Sequence, residues 1–463
     1  MTQNTPSPHP ALAPGPWGLP FLGVLPKLAR EPLGFLVHMA HQYGDVVRLP
    51  FGRSEAYLIS HPDDVRQVLV TNYRSYKRSE LYDKMKPLLG EGLITSDGDF
   101  WQRQRRMMQP AFHKQRVISF TGMMVESIQR MLERWEKAEQ RAEPLDMLAE
   151  MMRITQTIIT RTMFSAGLDE ATVDAVGQAV TVGQATAEQR FWSLVVFPDA
   201  IPTPQNRRFQ RAVRTIDRIV HGLIDERRRS GEDKGDLLSM LLAATDETDG
   251  KGMTQRQLRD ELVTIYLAGH ETTSVALTWA WYLLSLHTDV ARKVQAEVDE
   301  VLQGRVPTYE DLEKLRYVHQ VVEETLRLYP PAWLLSRTAL QDDVLSGYRI
   351  PAGAAVLLCP YVVHRHPRYW ENPLGFDPDR FQPQQVEARH RHVYFPFGTG
   401  PHLCIGNRMS LMEAQLVLAM VVQRYRLDLV VDQRVVPHPQ ISLKPEGAVR
   451  MTLHRRSPPA RAS

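Results

Sequence analysis

Tyr394 to Met409 reads YFPFGTGPHLCIGNRM, and this stretch decides how the rest of the chain is interpreted. Three glycines surround Cys404 in it: Gly398, Gly400 and Gly406. Glycines spaced this closely allow a tight loop and let a flat object approach the backbone. Apolar residues then recur at three and four positions and predict a helix from Ile405 to about Tyr425. The amides and positive dipole end of that helix favour a thiolate at Cys404, the form that binds metals.

The bland alternative for a lone cysteine in an apolar stretch is a small buried side chain. Cys359, in AAVLLCPY, lacks neighbouring glycines and a following helix dipole, so we assign it to that class. Two cysteines in 463 residues offer little stabilisation through a disulfide, which favours a reducing compartment. Cys404 is therefore the candidate metal ligand.

The loop resembles the haem loop of the cytochrome P450 superfamily, F-x-x-G-x-x-x-C-x-G, because Phe397, Gly400, Cys404 and Gly406 match every fixed position. The resemblance implies haem b, with Cys404 as the axial iron ligand and Phe397 as a shield for the sulfur. A thiolate ligand donates electron density that assists cleavage of the dioxygen bond. His402 stands where the loop commonly has Arg, and it is implied to donate to a haem propionate.

A second motif lies in a long predicted helix, Thr254 to about Leu286. Thr254 and Gln257 fit a capping box at its start. Within AGHETT, residues 268–273, Gly269 weakens the helix and Thr272 can bond back to the carbonyl of Ala268. We expect a local groove there, large enough for dioxygen. The alternatives are a back-bonded packing threonine and a glycine that only permits close helix contact.

Together these residues resemble the superfamily's A-G-x-[DE]-T oxygen-binding motif. The resemblance implies that Thr272 stabilises activated dioxygen, that Glu271 helps to supply protons through water, and that Ala268 and Gly269 complete the motif. His270 occupies the variable position and is interpreted as an ordinary helix residue.

Residues in four further stretches resemble family positions around the haem. Glu324 and Arg327 in EETLRL share a helix face, and with Arg380 in FDPDRF they are implied to form a buried charge triad. Trp101 and Arg105 in WQRQRR and Arg337 after PPAWLLS are implied to bind the propionates. An exposed ion pair, a packed tryptophan and a solvated arginine are the ordinary alternatives.

Two basic groups suggest further binding surfaces. The first could dock an acidic electron donor by electrostatic steering, although a solvated surface is the usual explanation; its members are Arg103, Arg106, Lys114 and Arg116. The second could anchor a substrate carboxylate or be solvent exposed; its members are Arg74, Lys77 and Arg78.

Composition indicates a folded protein, since 43% of residues are hydrophobic and 24% are charged. A net charge of +3 gives no global field for nucleic acid or an anionic membrane. The opening segment, residues 1–30, contains no apolar run that approaches the ~18 residues needed to span a bilayer. It also lacks a signal-peptide pattern, so we expect a cytoplasmic protein without a transmembrane anchor. Short strands are predicted at 45–49 and 56–59, where the turn residues Gly52 and Ser54 suggest a hairpin, and at 347–358.

The fold class is therefore mainly α with small β regions, and the resemblance implies the P450 prism with haem between the long central helix and the cysteine-loop helix. We expect a disordered Pro-rich leader (1–14), a single catalytic domain (15–454) and a flexible tail (455–463), as a monomer.

The implied function is a monooxygenase that uses dioxygen to hydroxylate or epoxidise a hydrophobic substrate such as a fatty acid or terpenoid. No part of the chain resembles a flavin or iron–sulfur domain, so electrons are expected from NAD(P)H through a separate ferredoxin or flavodoxin and its reductase. The alternatives are a peroxygenase or isomerase, or a haem sensor without catalysis. The expected pocket lining is apolar: Ile94, Phe191, Leu194, Leu334 and Leu335.

Overall fold

The computed structural model describes residues 11–52, 54–165, 170–193, 198 and 201–456. Side chains at 170, 171, 173, 174, 191 and 192 are not described. The described chain is mainly helical with small sheets, as the sequence predicts, and its contacts divide it into two compact units. No helix in these ranges is long and apolar enough to cross a membrane.

The first unit comprises residues up to 81 together with 327–375 and 382–404. Its helices and strands are α1 (Leu25–Arg30), α2 (Pro32–Tyr43), β1 (Val46–Phe51), β2 (Ser54–Ile59), α3 (Pro62–Arg66), β3 (Tyr76–Arg78), β5 (Leu335–Ala339), β6 (Asp343–Leu345), β7 (Tyr348–Ile350), β8 (Ala355–Leu358), α16 (Pro360–Val363) and α17 (Pro383–Ala388).

A five-stranded sheet in the order β1-β2-β8-β5-β3 organises the first unit. The predicted hairpin is confirmed, since β1 and β2 pair antiparallel with Val46 opposite Ile59. The predicted strands at 347–358 are β7 and β8, but they do not pair with each other: β7 pairs with β6 and β8 with β2 and β5. Apolar side chains from alternate strand positions, such as Tyr57 and Val356, form the core against this sheet.

The second unit comprises residues 82–326, 376–381 and 405 onward. Its helices and strands are α4 (Lys86–Leu89), α5 (Gly98–Met108), α6 (Lys114–Ser119), α7 (Thr121–Gln140), β4 (Leu145–Asp146), α8 (Met147–Phe164), α9 (Glu170–Trp192), α10 (Pro204–Ser230), α11 (Leu237–Ala243), α12 (Gln255–Leu286), α13 (Thr288–Leu302), α14 (Tyr309–Leu312), α15 (Arg316–Leu328, whose last two residues belong to the first unit), α18 (Asn407–Arg424), β9 (Tyr425–Leu429), β10 (Pro437–Pro439), β11 (Leu443–Pro445) and β12 (Arg450–Arg455).

The long helix α12 is the axis of the second unit. Its predicted capping box is confirmed: Gln257 N donates to Thr254 Oγ1 at 3.2 Å and Thr254 N donates to Gln257 Oε1 at 2.8 Å. The helix packs along α8, and most of its side chains are buried. Such burial explains why apolar residues occur all round this helix.

Candidate active site

The cysteine loop closes on itself before it presents its sulfur. Cys404 N donates to Phe397 O at 2.9 Å. Gly398 and Gly400 have φ of +72° and +70°, which L side chains rarely adopt. A Cβ at Gly400 would lie 2.2 Å from Leu69 O, so only glycine fits there. The loop is thus locked against the segment before β3.

The two cysteines differ as the sequence predicts. Cys404 is exposed, whereas Cys359 is fully buried. The Cys359 thiol donates to Trp333 O at 3.0 Å, and burial raises its pKa to about 12. Cys359 therefore stays a thiol, and Cys404 is the accessible sulfur that could bind a metal.

Basic side chains of the first unit lie beside this loop. Arg78 on β3 is directly opposite Arg337 on β5 in the antiparallel pair, and Arg78 Nη2 lies 3.1 Å from His402 Nδ1. Like charges directly opposite each other destabilise a strand pair, so this cluster suits an anion. Arg337 and His402 are predicted propionate residues, and the structure adds Arg78, which the sequence only suggested as an anchor for a substrate carboxylate.

These features fit a haem. The exposed Cys404 supplies one sulfur donor, and Arg78 and Arg337 supply cations for propionate carboxylates. His402 accepts from Arg78 at Nδ1, so as a neutral ring it could donate through Nε2. A Cβ at Gly406, the N-cap of α18, would meet nothing within 4 Å among the described residues. Gly406 is thus not required by packing against the described residues.

Some residues of the oxygen motif are partly accessible in the middle of α12. Between Leu258 and Leu284, all residues are buried except Ala268, Gly269, Thr272 and Tyr282. Thr272 Oγ1 donates to Ala268 O at 2.8 Å, so the predicted back-bond is confirmed. An accessible patch inside a buried helix is a place where a small molecule could be bound.

The expected groove beside Gly269 is not found in the structure. A Cβ at this position would lie 2.9 Å from Cδ1 of Ile159 on α8, so the space that glycine leaves is filled by a neighbouring helix. The close-contact alternative is therefore right for the glycine side of α12, and the opening lies at Ala268 and Thr272 instead. His270, next along the chain, is buried with Nδ1 2.8 Å from Tyr266 O, and burial lowers its pKa.

Glu271 is buried in a polar cluster. Its Oε2 accepts from Gln184 of α9, and its Oε1 accepts from Ser442 Oγ at 2.7 Å. Lys444 Nζ lies 3.8 Å from Oε1 and 2.8 Å from Glu188 Oε1. The partly exposed Lys444 and the carboxylates thus form a connected set of proton-carrying groups. No sequence motif indicates these partners, because each of them lies more than 80 positions from Glu271 in the chain.

The residues of the predicted charge triad, Glu324, Arg327 and Arg380, contact the chain before the cysteine loop. Glu324 is fully buried; its Oε1 accepts from Asp377 N at 2.9 Å and lies 3.5 Å from Arg380 Nε. Arg327, also fully buried, donates to carbonyls at 2.7–2.9 Å, namely those of His364, Pro373 and Gly375. Each set of contacts fixes part of residues 364–380, which precede the cysteine loop.

Trp101 and Arg105 lie one turn apart on α5, with Trp101 buried and Arg105 half-buried. In the predicted pocket, Ile94 is half-buried before α5, and Leu334 and Leu335 are half-buried at the start of β5. Phe191 and Leu194 lie outside the residues whose side chains are described.

The expected basic docking surface is largely compensated by acidic neighbours. Arg106 Nη2 lies 3.2 Å from Asp246 Oδ2, and Arg103 lies 3.5 Å from Asp249. Lys114 lies 3.4 Å from Glu313. Only Arg116 of the group is exposed without an ion pair to a described residue. Paired charges steer a partner weakly, so this surface does not support the docking hypothesis. In the other basic group, Arg74 and Lys77 are exposed.

The family is established by comparison with known proteins. The family model for Cytochrome P450 matches residues 13–451, nearly the whole chain. The chain therefore belongs to the cytochrome P450 family, and it is an oxidoreductase. Haem and dioxygen are the cofactor and co-substrate that the family implies.

Individual relatives agree. The chain is 38% identical over 412 residues to the cyclooctat-9-en-7-ol 5-monooxygenase of Streptomyces melanosporofaciens, covering 89% of this chain and 88% of that protein. It is 32% identical to the pentalenene oxygenase of Streptomyces avermitilis, covering 96% and 97%. Among solved structures, the cytochrome P450DA haem domain matches with a TM-score of 0.88 at 29% identity, covering 97% of this chain and 99% of that one.

Proposed function

We propose that this protein is a haem-thiolate monooxygenase that hydroxylates or epoxidises a hydrophobic terpenoid, with Cys404 as the iron ligand and electrons from a separate redox protein. The observation that carries the proposal is the locked loop: Gly400 lies against Leu69 O, Cys404 N binds Phe397 O, and the Cys404 sulfur is exposed. A loop fixed at two points keeps one thiolate in place at little entropic cost. Bound there, haem would supply the redox chemistry that activates dioxygen.

Thr272 is suited to control a proton at the opening of α12. In the structure its hydroxyl proton is used in the bond to Ala268 O, so its oxygen lone pairs are available as acceptors. Rotation about χ1 would release the proton toward a ligand in the accessible patch. A hydroxyl that can donate either to Ala268 O or to a ligand is suited to bind and stabilise reduced oxygen.

The polar cluster around Glu271 supports proton supply. Ser442, next to β11, donates to Glu271. Lys444 of β11 lies near both Glu271 and Glu188, and its side chain is 20% exposed. Burial raises the pKa of Glu188, which makes this carboxyl a better proton carrier near neutral pH. A peroxygenase, an isomerase or a haem sensor needs no such route, so the cluster favours the monooxygenase over these alternatives.

The substrate class follows from the relatives and from the apolar residues predicted to line the pocket. The names of two relatives contain cyclooctat-9-en-7-ol and pentalenene, an alkenol and an alkene. Of the two substrate classes that the sequence suggests, a terpenoid therefore has more support than a fatty acid. The cytoplasmic location and the NAD(P)H-linked ferredoxin or flavodoxin partner are part of the same proposal.

Binding and turnover test this function separately. We expect cyclooctat-9-en-7-ol or pentalenene to displace water from the ferric haem and shift its spin state, and a long-chain fatty acid to have a weaker effect. With a surrogate ferredoxin and reductase, oxygen use should depend on the terpenoid, and mass spectrometry should find one added oxygen atom. Turnover with peroxide alone and none with electrons and dioxygen would establish the peroxygenase instead.

A further inference from the structure

Residues 90–96 form a compact loop between α4 and α5. Thr95 Oγ1 donates to Gly90 O at 2.7 Å and Ser96 Oγ donates to Gly92 O at 2.9 Å. The amides of Thr95 and Ser96 both donate to Gly92 O at 3.0 Å. The loop therefore has its own hydrogen bonds and can move as one piece.

Two adjacent carboxylates of α12 bind alternate amides of this loop. Glu91 N donates to Asp260 Oδ2 and Leu93 N donates to Glu261 Oε2, both at 3.0 Å. Asp260 is 4% exposed and Glu261 is fully buried. Both carboxyl groups thus hold the loop through its backbone amides, and these contacts do not depend on the side chains of the loop.

The glycines of the loop show how closely it lies on α12. A Cβ at Gly90 would lie 2.1 Å from Asp260 Oδ1, and a Cβ at Gly92 would lie 2.1 Å from Thr264 Oγ1. Larger side chains at either position would separate the loop from the helix. The sequence therefore specifies the contact from both sides.

The two carboxylates have different charge environments. Asp260 lies 3.0 Å from Arg259, which also lies 2.7 Å from Asp217 of α10. Among the described residues, no Lys, Arg or His forms an ion pair with Glu261. Its neighbours are Leu93 N from the loop, Gln104 Nε2 of α5 at 3.4 Å, and the negative Asp260 on its own helix.

Burial, together with the charge of Asp260, raises the pKa of Glu261 to about 8. A hydrogen-bond acceptor for the proton of neutral Glu261 is present nearby. Gln104 Oε1 is buried and has no hydrogen-bond partner among the described residues, and a half-turn of the Gln104 amide would place this oxygen next to the carboxyl. The protonated carboxyl could then accept from Leu93 N and donate to Gln104.

We propose that Asp260 and Glu261 form a carboxylate latch that fixes loop 90–96 on α12, and that loss of the Glu261 proton releases the loop. Above its pKa, Glu261 would be an uncompensated buried charge beside Asp260, and opening of the loop would return it to water. The latch rests on the proposed function only in one respect: Ile94, in this loop, is a predicted pocket residue. Asp260 and Glu261 are then positioning residues for the substrate.

The sign of the effect follows from proton linkage. While the loop is closed, Glu261 stays protonated up to about pH 8. When the loop is open and Glu261 is hydrated, it would lose the proton near its ordinary pKa of ~4.3. The opening equilibrium should therefore increase with pH, by up to ~10-fold per unit, and level off above pH 8.

Hydrogen exchange of the holoenzyme between pH 6 and 9 measures this opening, as the protection factor of the Leu93 amide or of a peptide that spans 90–96. We expect protection to fall with pH in the natural protein and to be independent of pH in Glu261→Gln, which keeps an acceptor for Leu93 N. Glu91→Gln, an exposed acid in the same loop, should behave like the natural protein and serves as the matched control.

The spin-shift affinity for the terpenoid is the second readout. As pH rises, this affinity should weaken by the factor by which opening reduces the closed population, and in Glu261→Gln it should not change with pH. Protection at 90–96 that does not change with pH, or a Glu261→Gln profile equal to the natural one, would overturn the latch. The ferrous carbon monoxide spectrum of each variant reports separately on the haem-thiolate proposal, so either idea can fail without the other.

Discussion

Replacement of Arg380 should destabilise the protein more than the loss of a shorter ion pair one residue away. Arg380 Nε lies 3.5 Å from Glu324 Oε1, with side-chain exposures of 13% and 0%. Lys293 Nζ lies 3.0 Å from Asp379 Oδ2, with exposures of 56% and 41%. By distance alone the second pair is stronger, whereas burial gives the opposite order.

Burial decides the magnitude. Exposed pairs contribute about 0–1 kcal/mol because solvent screens them, so Lys293→Met should lower the free energy of unfolding by less than about 1 kcal/mol. Loss of one partner of a buried pair costs about 3–5 kcal/mol. Asp377 N still donates to Glu324 at 2.9 Å, so we expect Arg380→Met to fall at the lower end, about 3 kcal/mol.

The assay is urea unfolding followed by circular dichroism, with haem release measured on the same samples. Arg380→Met and Lys293→Met lose comparable apolar length, so the comparison isolates the environment of the charge. The double variant Glu324→Gln/Arg380→Met should recover part of the loss, because no unpaired carboxylate is left. Equal losses in the two single variants would refute the reasoning from burial.

Three further results are expected. Gly400→Ala, with its Cβ 2.2 Å from Leu69 O and φ +70°, should bind haem less tightly at equal expression, as a hemin titration measures. Thr272→Ala should use dioxygen and electrons without forming an equivalent amount of product, whereas Thr272→Ser should retain coupling; the ratio of product to NAD(P)H measures this. The pKa of Glu261 is about 8 in the folded protein and ~4.3 in the unfolded chain. The free energy of unfolding should therefore fall as pH rises from ~4.3 to 8, by no more than ~5 kcal/mol at 1.36 kcal/mol per unit. Glu261→Gln should remove that slope in unfolding experiments.

The sequence predicts those features that depend on residues near each other in the chain. The capping box at Thr254 needs only residues 254 and 257, and the back-bond of Thr272 needs only Ala268; both are found. The hairpin of β1 and β2 is also local. For Cys404, the glycines on both sides already indicate a constrained loop.

Contacts between distant segments were not predictable in the same way. The space at Gly269 is filled by Ile159, 110 positions earlier, and periodicity within one helix does not show what packs against it. The acids that compensate Arg103 and Arg106 lie some 140 positions later. The partners of Glu271 come from α9 and from Ser442 beside β11, so only the fold brings this cluster together.

The ferrous carbon monoxide spectrum of a cysteine variant tests the assignment of Cys404 most directly. Cys404→Ser should lose the thiolate signature, because the sulfur donor is gone. Cys359→Ser is the matched control: Cys359 is fully buried and donates to Trp333 O, a bond that a serine hydroxyl can replace, so its spectrum should stay that of the natural protein. A thiolate signature that persists unchanged in Cys404→Ser would contradict the account.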